Sequence, residues 1–283
     1  MNQSNKLLRR GDFRAPKNAF LEAQGSIHND SVASKLGFKG GTVPGSVHMD
    51  QFMPMVMNAT GPKWFETGDM SLYFTQATVD QERVRAEVEG DGPRLSLRMF
   101  NEAEVLICTG TASTSAPDAE SEVQHRMRDL PLAAHEQLRI LHNVRIGDET
   151  HDTPLKVTVE ALDMALKNIT ERLDVYSKDN VLPPSHVVKL AHITRPVVHS
   201  KVKQAVGLFG ALEVRHYKGP LFAGRDYVGR SKVLKLTESP KTEAIWYDVI
   251  ITDPLMKEDV ASVIFMIRFM KASSPLWTQS GAA

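Results

Sequence analysis

Two stretches of the chain repeat the same order of features, and this repeat limits the folds open to the sequence more than any other feature. Residues 43–48 (VPGSVH) and 182–187 (LPPSHV) resemble each other, and each precedes a long apolar stretch with an internal proline, Pro54 or Pro196. Each stretch then leads through a Gly-Pro pair to several strand-like segments. Because a repeated order of this kind indicates internal duplication, the sequence predicts two copies of one α+β unit.

The spacing of apolar and turn-forming residues predicts the elements of both copies. A short helix over 29–37 has Asn29 or Asp30 as its N-cap and Gly37 as its C-terminal stop. Apolar stretches predict helices over 46–59, over 157–173 and, after residue 187, a long helical stretch that includes 205–212. Period-two alternation between turn residues predicts strands over 70–75, 83–89, 94–100, 105–111, 227–237, 242–252 and 260–271.

These elements divide the chain into two structural units with a connection between them. The first unit covers residues 16–115 and the second covers 138–273. The segment between them, 116–137, is rich in Ala, Ser, Pro and acidic residues, which is typical of a linker.

Charge and cysteine content limit the classes of partner that the protein can bind and the cellular compartment that it can occupy. Lys plus Arg and Asp plus Glu are both 34, so the formal net charge is zero and no overall field attracts nucleic acid or an anionic membrane. The apolar run 260–270 is interrupted by Ser262 and Arg268 and is too short to span a bilayer. The single cysteine, Cys108, excludes an intramolecular disulfide and favours a reducing compartment, so we expect a cytoplasmic protein without nucleic-acid or membrane partners.

The segment over residues 27–45 resembles a known family. It reads Ile27-His28-Asn29-Asp30, then Ala33, Leu36-Gly37-Phe38, Gly40-Gly41 and Val43-Pro44-Gly45. This order is similar to the "IHxD" signature of the MaoC-like hydratase/dehydratase branch of the hotdog superfamily, and residues 105–112 resemble that family's closing strand. The resemblance implies a double hotdog, in which each unit is a long central helix wrapped by a curved antiparallel sheet. The second unit has no equivalent of the signature.

The resemblance also implies a reaction and a catalytic pair. It implies a lyase that adds water to, or eliminates water from, an acyl thioester or a related carbonyl compound. His28 matches the family's acid/base histidine, and Asp30 matches the aspartate after it. Family hydratases carry an aspartate five residues before the histidine and an asparagine between the two. Those positions are Ala23 and Gly25 here, so one half of the usual acid/base pair is absent.

Further candidate residues would bind the substrate. Backbone N–H groups of the turn over 40–45, and of the helix that follows, could polarise a thioester carbonyl, although a tight turn explains the glycines equally well. Met53 could line an acyl tunnel or pack in the core. Glu213 and His216, from the second unit, could supply the missing carboxylate or base, and Arg215 would share a strand face with Glu213. The predicted substrate-binding residues are Gly41, Val43, Gly45, Ser46, His48, Met53, Glu213 and His216.

Two other functions remain open. Hydrolysis of the thioester could use Asp30, Asp50 or Glu213, and a non-catalytic acyl-binding or small-molecule-binding protein would explain Ala23. CoA or a carrier-protein pantetheine would enter as part of the substrate, and we expect no other cofactor. No metal site is expected, since His186, His192 and His199 do not share one helix face. The sequence is compatible with a monomer and with a homodimer.

Overall fold

Ten strands among the described residues form one antiparallel sheet in the computed structural model, which describes residues 7–23, 25–195, 200–202 and 204–278. The sheet order is β1-β3-β4-β5-β2-β7-β10-β9-β8-β6. The strands are β1 (Leu8–Arg10), β2 (Asp69–Phe74), β3 (Val84–Glu89), β4 (Arg94–Asn101), β5 (Leu106–Ser113), β6 (Glu149–Lys156), β7 (Gly207–His216), β8 (Asp226–Glu238), β9 (Thr242–Asp253) and β10 (Glu258–Met270).

The sheet consists of two halves with the same strand order, and they meet where β2 pairs with β7. The register of this junction runs from Asp69 opposite Arg215 to Tyr73 opposite Ala211. Moving outward from the junction, β5, β4, β3 and β1 on one side correspond to β10, β9, β8 and β6 on the other. The duplicated α+β arrangement predicted from the sequence is therefore confirmed. The first half includes β1, which lies before residue 16 and pairs with β3.

Helices connect and cover the strands. They are α1 (Asp30–Lys35), α2 (Gly45–Thr60), α3 (Trp64–Thr67), α4 (Glu122–Asp129), α5 (Val159–Leu166), α6 (Asp174–Lys178), α7 (Pro184–Ala191) and α8 (Pro275–Thr278), with short 3-10 helices at His135–Gln137, His192–Thr194 and Lys271–Ser273. As predicted, Asn29 caps α1, since its side chain accepts a hydrogen bond from the N–H of Ser31. No helix in the described residues has both the length and the apolar character needed to cross a bilayer.

The two central helices, α2 and α7, pack against each other on one face of the sheet, within the main hydrophobic core. Met70 and Leu72 of β2 point into this core. The alternate side chains of β2, Ser71 and Tyr73, point to the other face, which α4 covers through a smaller apolar cluster that includes Val123 and Trp246. The sheet therefore has a helix face, covered by α2 and α7, and a linker face, covered by α4. Successive residues of a strand point alternately to the two faces.

Two helix predictions differ from the structure. The helix predicted over 157–173 is shorter in the structure, because α5 covers only Val159–Leu166 and α6 begins beyond residue 173. The helix predicted over 205–212 is wrong, because Gly207–His216 forms β7. That strand lies at the centre of the sheet with both faces covered, so its apolar run resembles that of a buried helix. The helix α2 continues through Pro54 without the break that this proline could have caused, and Pro196 and His199 lie outside the described residues.

Candidate active site

The structure holds the His28 side chain in one defined orientation. His28 is half-buried, and its Nδ1 lies 2.7 Å from the backbone carbonyl oxygen of Thr42. A carbonyl can only accept a hydrogen bond, so Nδ1 carries the proton and the lone pair is left on Nε2. Burial lowers the pKa of His28, and the bond to Thr42 opposes this only in part. The imidazole is therefore neutral at pH 7 and can act as a base through Nε2.

The glycine-rich turn is tied to the His28 segment from both sides. Oδ1 of Asp30 accepts a hydrogen bond from the N–H of Gly41 at 2.6 Å. A Cβ atom at Gly41 would overlap the backbone carbonyl of His28, so this close approach requires glycine. Asp30 itself is exposed and begins α1. Its geometry makes it a residue that positions the turn.

The first turn of α2 directly follows the glycine-rich turn. Its N-cap, Pro44, has no side-chain acceptor, so no N-cap side chain hydrogen-bonds to the first N–H groups of the helix, on Gly45 and Ser46. A Cβ atom at Gly45 would lie 2.7 Å from the ring of Phe74. The buried Val43 fixes the approach to the helix, because its N–H donates to the carbonyl of Thr78 at 2.8 Å. A helix N-terminus arranged in this way can stabilise negative charge on a substrate oxygen.

His48 and Met53 are part of the packing around this turn. The buried His48 ring lies between Oγ1 of Thr78, 2.8 Å from Nε2, and Oε1 of Gln51, 3.0 Å from Nδ1. Burial lowers the pKa of His48. Because both ring nitrogens have partners, His48 connects α2 to the Thr78 segment and presents no free nitrogen to a substrate. Met53 is fully buried in the main core.

The structure does not bring Glu213 to His28. Strand alternation places Glu213 on the linker face, where it accepts hydrogen bonds from Ser121 Oγ at 2.7 Å and Gln124 Nε2 at 3.1 Å. Arg215 shares this strand face, as predicted, and forms an ion pair with Glu213, with Nη2 of Arg215 2.9 Å from Oε2 of Glu213. Burial and the neighbouring Glu213 raise the pKa of Asp69 well above its usual range. These groups hold the linker against the sheet, on the face away from α2.

His216 lies on the helix face but is enclosed by aromatic rings. Its ring centroid is 5.2 Å from that of Trp64 and 6.4 Å from that of Phe65. Burial lowers the pKa of His216 to about 4, so the ring is neutral at pH 7. His216 therefore packs in the core between α3 and the sheet.

A polar cluster at the contact between α2 and α7 was only partly anticipated from the sequence. Oδ1 of Asp50 accepts a hydrogen bond from the N–H of Ser185 at 3.0 Å, and Ser185 Oγ lies 3.0 Å from Nδ1 of His186. Burial raises the pKa of Asp50 to about 7 and lowers that of His186 to about 4. The one signal in the sequence was the aspartate itself, because a charged residue inside a methionine-rich buried helix is unusual. Tyr176 and Thr78 carried no such signal.

A surface groove of about 200 Å³ runs beside α2. Pro54 and Met55 form its apolar side, and Arg14 and Glu171, which form an ion pair, lie on its polar side. Gln51, the partner of His48, also lines it. The groove thus opens beside the turns of α2 that contain Gln51 and Pro54. In the described part of the chain, no three His, Cys, Asp or Glu side chains are grouped so as to hold a metal ion.

No family model and no curated protein matches the sequence. Solved structures do match over nearly the whole chain. A MaoC domain protein dehydratase from Chloroflexus aurantiacus superposes with a TM-score of 0.59 at 11% identity, covering 95% of this chain and 99% of its own. A conserved hypothetical protein from Mycobacterium tuberculosis, described as having a double hotdog fold, gives 0.61 at 12% identity, covering 94% and 97%.

A further solved structure, a MaoC-like dehydratase, gives a TM-score of 0.55 at 10% identity and covers 93% of this chain and 97% of its own. Identities this low establish the fold. The resemblance noted in residues 27–45 is thus confirmed at the level of architecture, and the two halves of the sheet with their central helices are the two hotdog units. The chain has the double hotdog fold that MaoC-like dehydratases also have.

Proposed function

We propose that this protein is a lyase of the hydratase/dehydratase type, which adds water to or eliminates water from an acyl thioester. The observation that carries the proposal is the state of His28. Its tautomer is fixed by the carbonyl of Thr42, its pKa is lowered by burial, and it lies beside the turn that leads into α2. This combination supplies a neutral base next to a group of N–H donors, as proton abstraction beside a thioester carbonyl requires.

In the proposed elimination, Nε2 of His28 removes a proton from C2 of the acyl chain. The N–H groups at the start of α2, on Gly45 and Ser46, bind the thioester oxygen as negative charge develops on it. The groove beside α2 offers a path for the acyl chain, with its apolar side formed by Pro54 and Met55. CoA or a carrier-protein pantetheine is the thiol part of the substrate. The proposed reaction uses no further cofactor.

The test is incubation of the purified protein with 2-enoyl-CoA and 3-hydroxyacyl-CoA substrates of several chain lengths. Mass spectrometry follows the acyl mass and the release of free CoA. We expect gain or loss of one water with the thioester intact, and a loss of about 10²- to 10⁴-fold in His28→Ala, the usual contribution of an acid/base group. The exposed His151, on β6, provides the matched control His151→Ala, which should retain wild-type activity.

Other outcomes of this assay would indicate other functions. Free CoA that depends on a carboxylate would replace this proposal with thioester hydrolysis. Binding of acyl-CoA without turnover at any chain length, unchanged in His28→Ala, would indicate a non-catalytic binding protein.

A further inference from the structure

The contact between α2 and α7 buries polar side chains for which the proposed elimination has no role so far. Asp50 is 2% exposed and Tyr176 is fully buried, while Ser185 and His186 are each 7% exposed. These residues come from three elements, α2, α6 and α7, so the cluster lies at the junction of the two hotdog units.

Two atoms of this cluster lack hydrogen-bond partners within the described residues. They are Oδ2 of Asp50 and the hydroxyl oxygen of Tyr176. Buried polar atoms are nearly always paired in folded proteins, so two such atoms in one place need an explanation. Burial raises the pKa of Tyr176, and the charge of Asp50 raises it further, so the phenol lies within electrostatic range of that carboxyl.

The cluster lies on the same helix as the candidate active site. Asp50 is five residues after Gly45, or about 7.5 Å further along the axis of α2 at 1.5 Å per residue. Helical side chains lean toward the N-terminus, so the Asp50 carboxyl lies over the turn that contains Ser46. This direction brings the carboxyl toward the start of the helix, where the thioester carbonyl would be bound.

We propose that Asp50 and Tyr176 form a second acid/base centre, which binds the hydroxyl group on C3 of the substrate while His28 acts on C2. The inference rests on the proposed function. A hydroxyl group suits the two unpartnered atoms, because its oxygen can accept hydrogen bonds both from a protonated carboxyl and from a phenol. Asp50 would then do the work of the acid/base residue that Ala23 cannot perform.

The proton balance of the elimination follows from these roles. His28 Nε2 takes the proton from C2, the C2–C3 double bond forms, and the C3–O bond breaks. The Asp50 carboxyl gives its proton to the departing hydroxyl, which leaves as water. Asp50 is then a carboxylate and His28 an imidazolium, and exchange with solvent returns one proton to Asp50 and removes one from His28. Hydration is the reverse.

The groups around Asp50 suit this role. The N–H of Ser185 holds Oδ1, so Oδ2 remains as the reacting oxygen. His186, the other titratable group on α7 in the cluster, is neutral at pH 7, since burial lowers its pKa to about 4. Tyr176 also keeps its proton, because its pKa is raised. With Asp50 near pKa 7, both of its forms are populated near neutrality.

The chain offers matched controls for both residues. Asp248 is another carboxylate with a buried, unpartnered oxygen, and Tyr247 is another buried tyrosine whose hydroxyl has no partner within the described residues. Both lie on β9, away from α2. In kinetics with 3-hydroxyacyl-CoA, we expect Asp50→Asn to lower kcat by about 10²- to 10⁴-fold, and Tyr176→Phe by about tenfold. Asp248→Asn and Tyr247→Phe should leave kcat unchanged.

A pH profile separates catalysis from a structural role. The acid form of Asp50 is needed for elimination, so kcat/KM in the wild type should fall above about pH 7. This falling limb should be absent in Asp50→Asn and present in Asp248→Asn. Far-UV circular dichroism and thermal melting confirm that each variant is folded before its kinetics are compared.

Binding distinguishes a failure of this inference from a failure of the proposed function. Calorimetry compares 3-hydroxybutyryl-CoA with butyryl-CoA in His28→Ala, in which turnover is suppressed. Tighter binding of the hydroxylated probe, lost on adding Tyr176→Phe and kept on adding Tyr247→Phe, supports the hydroxyl site even if the wild type shows no turnover. Turnover that needs His28 but is unaffected by Asp50→Asn and Tyr176→Phe overturns the inference and leaves the proposed function standing. No hydroxyl preference and no turnover overturns both.

Discussion

His28 shows how one backbone contact sets the chemistry of a side chain. Because Nδ1–H donates a hydrogen bond to the carbonyl of Thr42, Nε2 is the only ring nitrogen that can act as a base. A histidine with this environment needs no aspartate partner to fix its tautomer. The absence of a carboxylate at Ala23 therefore leaves the orientation of His28 intact.

The pH dependence of the proposed reaction follows from the same burial. Protonation of His28 would abolish its action as a base, and its pKa lies below 6.5. We expect the rising limb of kcat/KM for elimination to lie below pH 6.5. The ring of Phe20, 5.7 Å from that of His28, helps to keep water away, so Phe20→Ala should move this limb upward. A wild-type limb above pH 6.5 would contradict the assignment.

The protonation state of Asp50 should also change the free energy of unfolding of the protein. Burial raises its pKa from 3.8 to about 7, so the folded state binds the proton more tightly than the unfolded chain. Stability from this group is therefore present below pH 4 and is lost as pH rises toward 7, by about 4 kcal/mol at most. Urea unfolding at several pH values should show this loss in the wild type and its absence in Asp50→Asn. An identical slope in both proteins would contradict a buried, titrating Asp50.

At the scale of elements, the start of α2 depends on a close approach between a helix and a strand. Gly45 leaves no room for a Cβ atom beside the ring of Phe74. We expect Gly45→Ala to lower the free energy of unfolding by about 1–3 kcal/mol through overpacking. The control is Gly92→Ala, where a Cβ atom would have no neighbour within 4 Å. Urea unfolding measures both, and equal effects at the two sites would rule out the steric explanation.

Sequence patterns predicted seven of the ten described strands and missed the two edge strands, β1 and β6, and the central strand β7. Strands such as β4, whose sides alternate between exposed and buried, follow a period of two that is visible in the sequence. The strand β7 is buried along most of its length and was predicted as a helix, because its position between β2 and β10 is a property of the whole sheet. The placement of Glu213 depends on this strand, so its contact with the linker could not be read from local sequence.

The candidate site was predictable only as far as it is local. His28, Asp30 and Gly41 lie within one short segment, and the structure brings them together. In the second cluster, Asp50 meets Tyr176 and Ser185, which are more than a hundred positions further along the chain, and no motif spans that distance.

At the scale of the whole molecule, the two units share one sheet and one core. The junction between β2 and β7 leaves a central strand unpaired if either unit is removed. We expect fragments 1–131 and 132–283, cut beside the exposed Leu132, to lack cooperative unfolding when separate and to regain it when mixed. Circular dichroism during urea titration is the measurement. Cooperative unfolding of either fragment alone would show that the units are independent.

The covalent joining of the two units has a consequence for how they can diverge. Two identical subunits must carry every substitution twice, whereas the halves of this chain can change separately. They have done so at equivalent points, since the sixth residue of α2 is Asp50 and the sixth residue of α7 is Lys189. One half can therefore specialise while the other serves as its scaffold, and the expected stoichiometry is one ligand for each chain.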